Sequence, residues 1–212
     1  TGIFEPCWYL RGFENYLMDL VIDTEFATTL LEGMYNYQLK RYSLFLQEVG
    51  EFLDIIFVGD DLATAENVIM SPQTYRNLIK PYHKEYFKNL KKLAPKAKLL
   101  YHSCGSIINF IPDLIDVGVD ILNPVQVSAQ GMDTKVLKDK FGKEISFWGA
   151  IDTTQVLPNG STEDVKKEVQ KRIQELGPDS YVLAAVHDIQ PDVPPENIVT
   201  MYSEAKNIPL GK

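Results

Sequence analysis

Short apolar runs without polar alternation recur along the chain, at Asp54 to Val58, Ala97 to Tyr101, Asp120 to Val125, Ile145 to Trp148 and Tyr181 to Val186. They are rich in β-branched and aromatic residues, the pattern of strands buried on both faces of a parallel sheet. Between them apolar positions follow helical spacing. Phe13, Tyr16, Leu17, Leu20 and Val21 form one such face, and a longer helix from about Glu25 to Val49 carries Phe26, Leu30, Leu31, Met34, Tyr42, Phe45, Leu46 and Val49. Ser71-Pro72 supplies an N-cap with proline at the first helical position, and the helix it opens runs to Leu93, with Pro81 expected to kink or divide it. Ser161 to Asp164 reads as a capping box whose helix stops at Gly177-Pro178, and Pro194-Pro195-Glu196-Asn197 opens the last helix.

Strands alternating with helices predict an α/β fold. Five βα units are too few for a closed (β/α)₈ barrel, which takes roughly 250 residues. The chain starts at Thr1, directly inside patterned sequence. The expectation is therefore the C-terminal part of a (β/α)₈ barrel, forming one domain over residues 1–212. Its sheet should have an open edge, and inward-facing residues such as Leu100 and Ile121 should lack cover unless a second copy or another polypeptide supplies it. Self-association is the predicted consequence.

Composition narrows the classes. At 45% hydrophobic and 24% charged residues, the 212-residue chain can bury a real core, which excludes disorder as a whole-chain description. A formal net charge of −8 argues against a nucleic-acid partner. The lysines between Lys80 and Lys98 alternate with apolar residues at helical spacing and read as a solvated face. No apolar run approaches the roughly 20 residues that cross a bilayer, so no membrane association is expected. Two cysteines are too few for a disulfide framework and no secretory leader opens the chain, so a reducing cytoplasm is the expected compartment.

The chemistry concentrates at Tyr101-His102-Ser103-Cys104-Gly105, which closes the second strand. Residues two apart on a strand share a face, so His102 and Cys104 project together, as half of a zinc site would require. An isolated His-x-Cys is more often a buried cysteine beside a hydrogen-bonded histidine; placement at a barrel's C-terminal strand end shifts the balance toward chemistry. Asp60 and Asp61 end the first strand and Asp152 follows the fourth, where each carboxylate is a candidate for catalysis or for capping a loop. Asn123 and Gln126 are candidates for substrate contact, with turn formation around Pro124 an equal explanation of Asn123. Trp8, Tyr9 and Trp148 are candidates to line a pocket for a flat ligand, with core packing favoured for Trp148. His83 is expected at the surface, and Cys7 as a small buried hydrophobe. The loops after the strands contain no Lys or Arg but several carboxylates. Such a mouth repels a polycarboxylate, and Arg11 is the one arginine expected to reach it.

Several segments together resemble one family: Trp8-Tyr9-Leu10-Arg11-Gly12-Phe13-Glu14, Gly59-Asp60-Asp61-Leu62, His102-Ser103-Cys104-Gly105, Asn123-Pro124-Val125-Gln126, Trp148-Gly149-Ala150-Ile151-Asp152 and His187-Asp188-Ile189-Gln190-Pro191-Asp192 with the following Val193 to Asn197. They are similar to the uroporphyrinogen decarboxylase superfamily, which unites the decarboxylases of haem biosynthesis with cobalamin-dependent methyltransferases on a (β/α)₈ barrel. The resemblance covers essentially the whole chain and implies a start just after the third barrel strand. In the zinc methyltransferases a His-x-Cys after the fifth strand and a further Cys after the eighth hold Zn²⁺. His102 and Cys104 match the first pair, whereas the last position is His187, as in the decarboxylases, where that histidine contacts substrate. Histidine is itself a zinc ligand, so His102, Cys104 and His187 remain a sound set with one open position.

The resemblance thus implies a methyltransferase that uses Zn²⁺ and a corrinoid carried by a partner protein, acting on a small-molecule methyl donor or acceptor. Trp8, Arg11, Asn123, Gln126 and Gln190 would contact substrate, and Asp60, Asp61 and Asp152 would serve catalysis. The alternatives are uroporphyrinogen decarboxylase, which needs no cofactor and protonates a pyrrole, and a non-catalytic module that binds metal or a corrinoid protein.

Overall fold

The structure, a computed structural model, describes residues 2–209; Thr1 and residues 210–212 lie outside it. Strands β1 (Ile55–Gly59), β2 (Lys98–His102), β3 (Ile121–Asn123), β4 (Ser146–Ile151) and β5 (Tyr181–Ala185) form one sheet in the order β1-β2-β3-β4-β5. Every adjacent pair is parallel. Chain order without reversal is the winding of a β/α barrel, since a doubly wound sheet changes direction at a switch point. The sheet does not close, and among the described residues β1 and β5 each keep one unpaired edge. The expected partial barrel is the observed fold.

Register sorts the side chains onto two faces. Val58, Tyr101, Leu122 and Phe147 follow one another across the sheet and all are fully buried beneath the helices. Each such side chain contributes about 1.5–3 kcal/mol. The inner face carries Phe57, Leu100 and Ile121 in one row, with Gly59, His102 and Asn123 above them. Leu100 and Ile121 are only 4% and 8% exposed, which corrects the expectation that they lack cover. They sit on central strands, where neighbours on both sides shield them. The exposed inner residues are those at the two ends of the sheet, Phe57 at 53% and Val182 at 40%.

Before β1 come helices α1 (Glu5–Arg11), α2 (Phe13–Ile22) and α3 (Thr24–Val49). Between β1 and β2, α4 (Pro72–Thr74) passes through a π-helical turn, Tyr75–Ile79, into α5 (Lys80–Leu93). Ser71 caps it, accepting from Thr74 N–H at 3.0 Å. The wide turn directly precedes Pro81, which lacks an N–H and crowds the carbonyl four residues back, so the expected interruption takes this form. The other connections carry α6 (Ile111–Asp116), α7 (Thr134–Phe141), α8 (Val156–Asn159) and α9 (Thr162–Leu176), and α10 (Pro195–Asn207) follows β5. The capping box at Ser161 and Asp164 is formed. No described helix is long and apolar enough to cross a membrane.

His83 overturns its expected surface position: it is fully buried on the inner side of α5. Its Nδ1 lies 3.0 Å from the Tyr75 hydroxyl, its Nε2 lies 3.0 Å from Asp60 Oδ2, and its ring stacks on Phe87. With Phe87 and Leu90 it occupies i, i+4 and i+7 positions, a buried stripe that the flanking lysines mask.

Candidate metal centre

The turn after β2 is pinned by its neighbours. Ser103, fully buried, accepts from Leu62 N–H at 3.0 Å; Cys104 N–H donates to Asp61 Oδ1 at 2.8 Å; Gly105 N–H donates to Gln126 Oε1 at 2.8 Å. Gly105 has φ of +90°, and a Cβ there would lie 2.4 Å from the Thr64 carbonyl oxygen, so only glycine fits. Beneath His102 the sheet is equally close. A Cβ on Gly59 would sit 2.7 Å from that of His102.

His102 is oriented from behind. Asn123 donates its amide to the Trp148 carbonyl at 3.2 Å, so its Oδ1, 2.7 Å from His102 Nδ1, accepts a hydrogen bond from the N–H of that nitrogen. The tautomer is thereby set, and the Nε2 lone pair faces Cys104 Sγ at 3.4 Å. His187, two residues beyond β5, brings its ring centroid to 5.8 Å from that of His102. One ligand atom from each of His102, Cys104 and His187 lies within 4.8 Å of the others. Tetrahedral zinc with bonds of about 2.0–2.3 Å holds its ligand atoms about 3.3–3.8 Å apart, so a small swing of the exposed His187 ring closes the set. Two imidazoles and a thiol suit a borderline-soft divalent ion. Burial pushes the Cys104 thiol up to about 12, with Asp61 and Glu5 adding to the effect. Without a cation beside it, the thiol keeps its proton.

A cavity of about 450 Å³ opens against His102 and His187, lined also by Glu5, Phe57, Gly59, Asn123, Ala185, Val186 and Asp188. A second, of about 220 Å³, lies on the Cys104 side against Gln126, Thr153 and Thr154 and shares His187. The three candidate ligands stand between the two, so an ion there would keep an open position facing space for a small molecule. Among the described residues, neither lining contains Lys or Arg.

The remaining singled-out residues divide. Asp60 is fully buried: Oδ1 accepts from Phe4 and Glu5 N–H at 3.0 and 2.7 Å, and Oδ2 accepts from Ile3 N–H at 3.0 Å beside His83. It clamps the start of α1 to the end of β1. Asp152 Oδ1 accepts from Thr154 N–H, Thr154 Oγ1 and Gln155 N–H at 2.6, 2.7 and 3.2 Å and shapes its own turn. Asp61 touches the ligand loop. Trp8 is 9% exposed and packs between Phe4 and Phe13, Arg11 pairs with Asp19 at 2.7 Å and lies over Phe26, and Gln190 donates to the Asp188 carbonyl. Trp8, Arg11 and Gln190 line neither cavity, whereas Asn123 and Gln126 do. Cys7 is buried as expected.

Glu5, like Phe57, is a cavity residue that the sequence did not reveal. Glu5 is the first residue of α1 and reaches the site because Asp60 holds its N–H. Burial raises its pKa above the ordinary value, a hydrogen bond from Tyr9 opposes this, and Asp61 and Asp60 add to the rise.

The profile of the uroporphyrinogen decarboxylase (URO-D) family matches residues 1–208. The chain belongs to this family. It is similar to the methylated-thiol–coenzyme M methyltransferase of Methanosarcina mazei, 21% identical over 212 residues, or 100% of this chain and 53% of that protein. It is also similar to uroporphyrinogen decarboxylase 2, chloroplastic, of Arabidopsis thaliana, 24% identical over 139 residues (66% of this chain, 34% of that protein). The uroporphyrinogen decarboxylase of Hordeum vulgare is 26% identical over 141 residues (66% and 40%). Among solved structures, a methyltransferase from Methanosarcina mazei superposes with a TM-score of 0.76 at 18% identity, over 97% of this chain and 56% of that one. This URO-D chain thus spans about half the length of its methyltransferase relatives.

Proposed function

We propose that this URO-D chain carries the zinc site of a corrinoid-dependent methyltransferase, with His102, Cys104 and His187 as ligands. The observation that carries this reading is the approach of the three ligand atoms to within 4.8 Å of one another beside an open cavity. Zn²⁺ held there would supply Lewis acidity, lowering the pKa of a thiol acceptor or polarising the leaving atom of a methyl donor. The chain's own residues do the rest. Asn123 keeps the proton on His102 Nδ1, Asp61 and Gln126 fix the backbone on either side of the Cys104 carbonyl, and the cavity positions a small methyl donor or acceptor. The corrinoid would be presented to the barrel mouth by a partner protein, in the cytoplasm. On this reading Asp60 and Asp152 support the site rather than react, and Asp61 acts through the Cys104 backbone.

The decarboxylase reading draws support from the matched decarboxylases and from a histidine at position 187. The cavity weighs against it, because Glu5 and Asp188, with no lining cation among the described residues, repel a polycarboxylate substrate. A binder without activity is the other alternative. The test is methyl transfer between methylcobalamin and a small thiol, assayed with the zinc-reconstituted chain and its Cys104→Ser variant. Transfer that is zinc-dependent and lost in the variant supports the proposal; consumption of uroporphyrinogen, or metal-independent transfer, overturns it.

A further inference from the structure

We propose that the cavity beside His102 and His187 selects a substrate carrying a substituted ammonium group, with Glu5, Asp188 and Phe57 as the specificity-determining residues. This rests on the metal reading above and adds the substrate class to it. Three features of the lining converge. Glu5 enters from α1 on the β1 side, and Asp188 enters just after β5 on the other side, so two carboxylates bracket one cavity. Neither has an ion-pair partner among the described residues. Glu5 is held in place from two directions, by its N–H on Asp60 Oδ1 at 2.7 Å and by the Tyr9 hydroxyl donating to its Oε1 at 3.0 Å.

Phe57 lines the same cavity on the inner face of β1, its ring centroid 5.9 Å from that of His102. A π face next to carboxylates is the chemistry that receives an alkylated ammonium, through the ring quadrupole and the negative charge together. The ion's own charge does not reverse this. Two positive charges would be balanced by the Cys104 thiolate and by a bound substrate thiolate, leaving the far end of the substrate to meet Glu5 and Asp188. A sulfonate or carboxylate at that end would face like charge in a partly enclosed space.

The experiment uses the Co²⁺-loaded chain and three thiols of matched length: thiocholine, 2-mercaptoethanol and 2-mercaptoethanesulfonate. Thiocholine's quaternary nitrogen cannot chelate the ion. Binding is read from the change in the cobalt visible bands, with affinities expressed per thiolate because the thiols differ in pKa. Thiocholine is expected to bind at least tenfold tighter than 2-mercaptoethanesulfonate, with 2-mercaptoethanol between them. Glu5→Gln and Asp188→Asn should each narrow that ratio about threefold or more, and added salt should narrow it in the parent chain. The cobalt spectrum before thiol addition and the circular dichroism of each variant report whether the site and the fold survive. Equal affinities, a sulfonate preference, or an order unchanged in both variants would overturn the selectivity while leaving the metal site standing. Failure of the parent chain to bind cobalt through sulfur would overturn both.

Discussion

Replacing Asp60 tests whether the most buried carboxylate of the strand-end motif is a structural clamp. Its two oxygens accept from three backbone N–H groups, those of Ile3, Phe4 and Glu5, and Oδ2 also faces His83 Nε2 at 3.0 Å. In Asp60→Asn one oxygen can still serve Phe4 and Glu5, but the amide NH₂ then points at the Ile3 N–H, donor against donor. One charge-assisted bond is lost and two are weakened, at about 1.5–3 kcal/mol for a bond to a charged group, so the expected cost is about 3 kcal/mol. Asp60→Ala strands all three N–H groups, and about 4–5 kcal/mol is expected. For a chain of this size 1 kcal/mol moves Tm by about 2–4 °C, so Asn should lower Tm by about 6–12 °C. Urea and thermal unfolding followed by circular dichroism give both numbers. Stability of Asp60→Asn within about 0.5 kcal/mol of the parent, with activity abolished, would refute the clamp and return Asp60 to the chemistry.

Three further outcomes follow from the same geometry. Asn123→Ala should weaken zinc binding about 10–100-fold by releasing His102 from its fixed tautomer, measured by competition with a chromophoric chelator; unchanged affinity would contradict the orienting role. Asp113, 5% exposed, is bonded by Arg76 at 2.9 Å and Lys80 at 2.8 Å; burial raises its pKa, but these partners outweigh burial and hold it below the ordinary value. Its contribution is present above the unfolded-state pKa of about 3.9 and is lost as pH falls through the lower folded value, so the acid limb of a stability–pH profile should flatten in Asp113→Asn, and an unchanged limb would contradict this. The unpaired edges of β1 and β5 and exposed apolar residues such as Leu10, Val21, Ile22 and Phe52 predict self-association of the chain, which a monodisperse monomer by sedimentation at micromolar concentration would contradict.

Period-2 geometry made His102 and Cys104 legible, because a strand ending at His102 fixes which side chains share its face. The strand positions were legible for a different reason, as short apolar runs without polar alternation, with ends shifted by local chemistry. β3 stops at Asn123 because Pro124 has no N–H to continue the ladder, and β4 runs on through Gly149 and Ala150, residues of weak strand preference, to Ile151. His187 carried no local signal and came forward through family resemblance. What stayed hidden depends on contacts far apart in sequence. Asp60 is bonded to groups 55 to 57 residues away, and that clamp delivers Glu5 to the cavity. Arg11 was expected to reach the mouth, yet Asp19, eight residues on, engages it. The burial of His83 follows an i, i+4, i+7 stripe that was legible in principle, and a lysine-rich helix made it look solvated.

The most direct test of the metal site is cobalt titration of the metal-free chain beside its Cys104→Ser variant, followed in the ultraviolet and visible. One ion per chain, a sulfur-to-cobalt charge-transfer band and tetrahedral d–d absorption are expected in the parent, with the charge-transfer band absent and affinity sharply reduced in Cys104→Ser. No stoichiometric binding by the parent, or a spectrum that Cys104→Ser leaves unchanged, would contradict it.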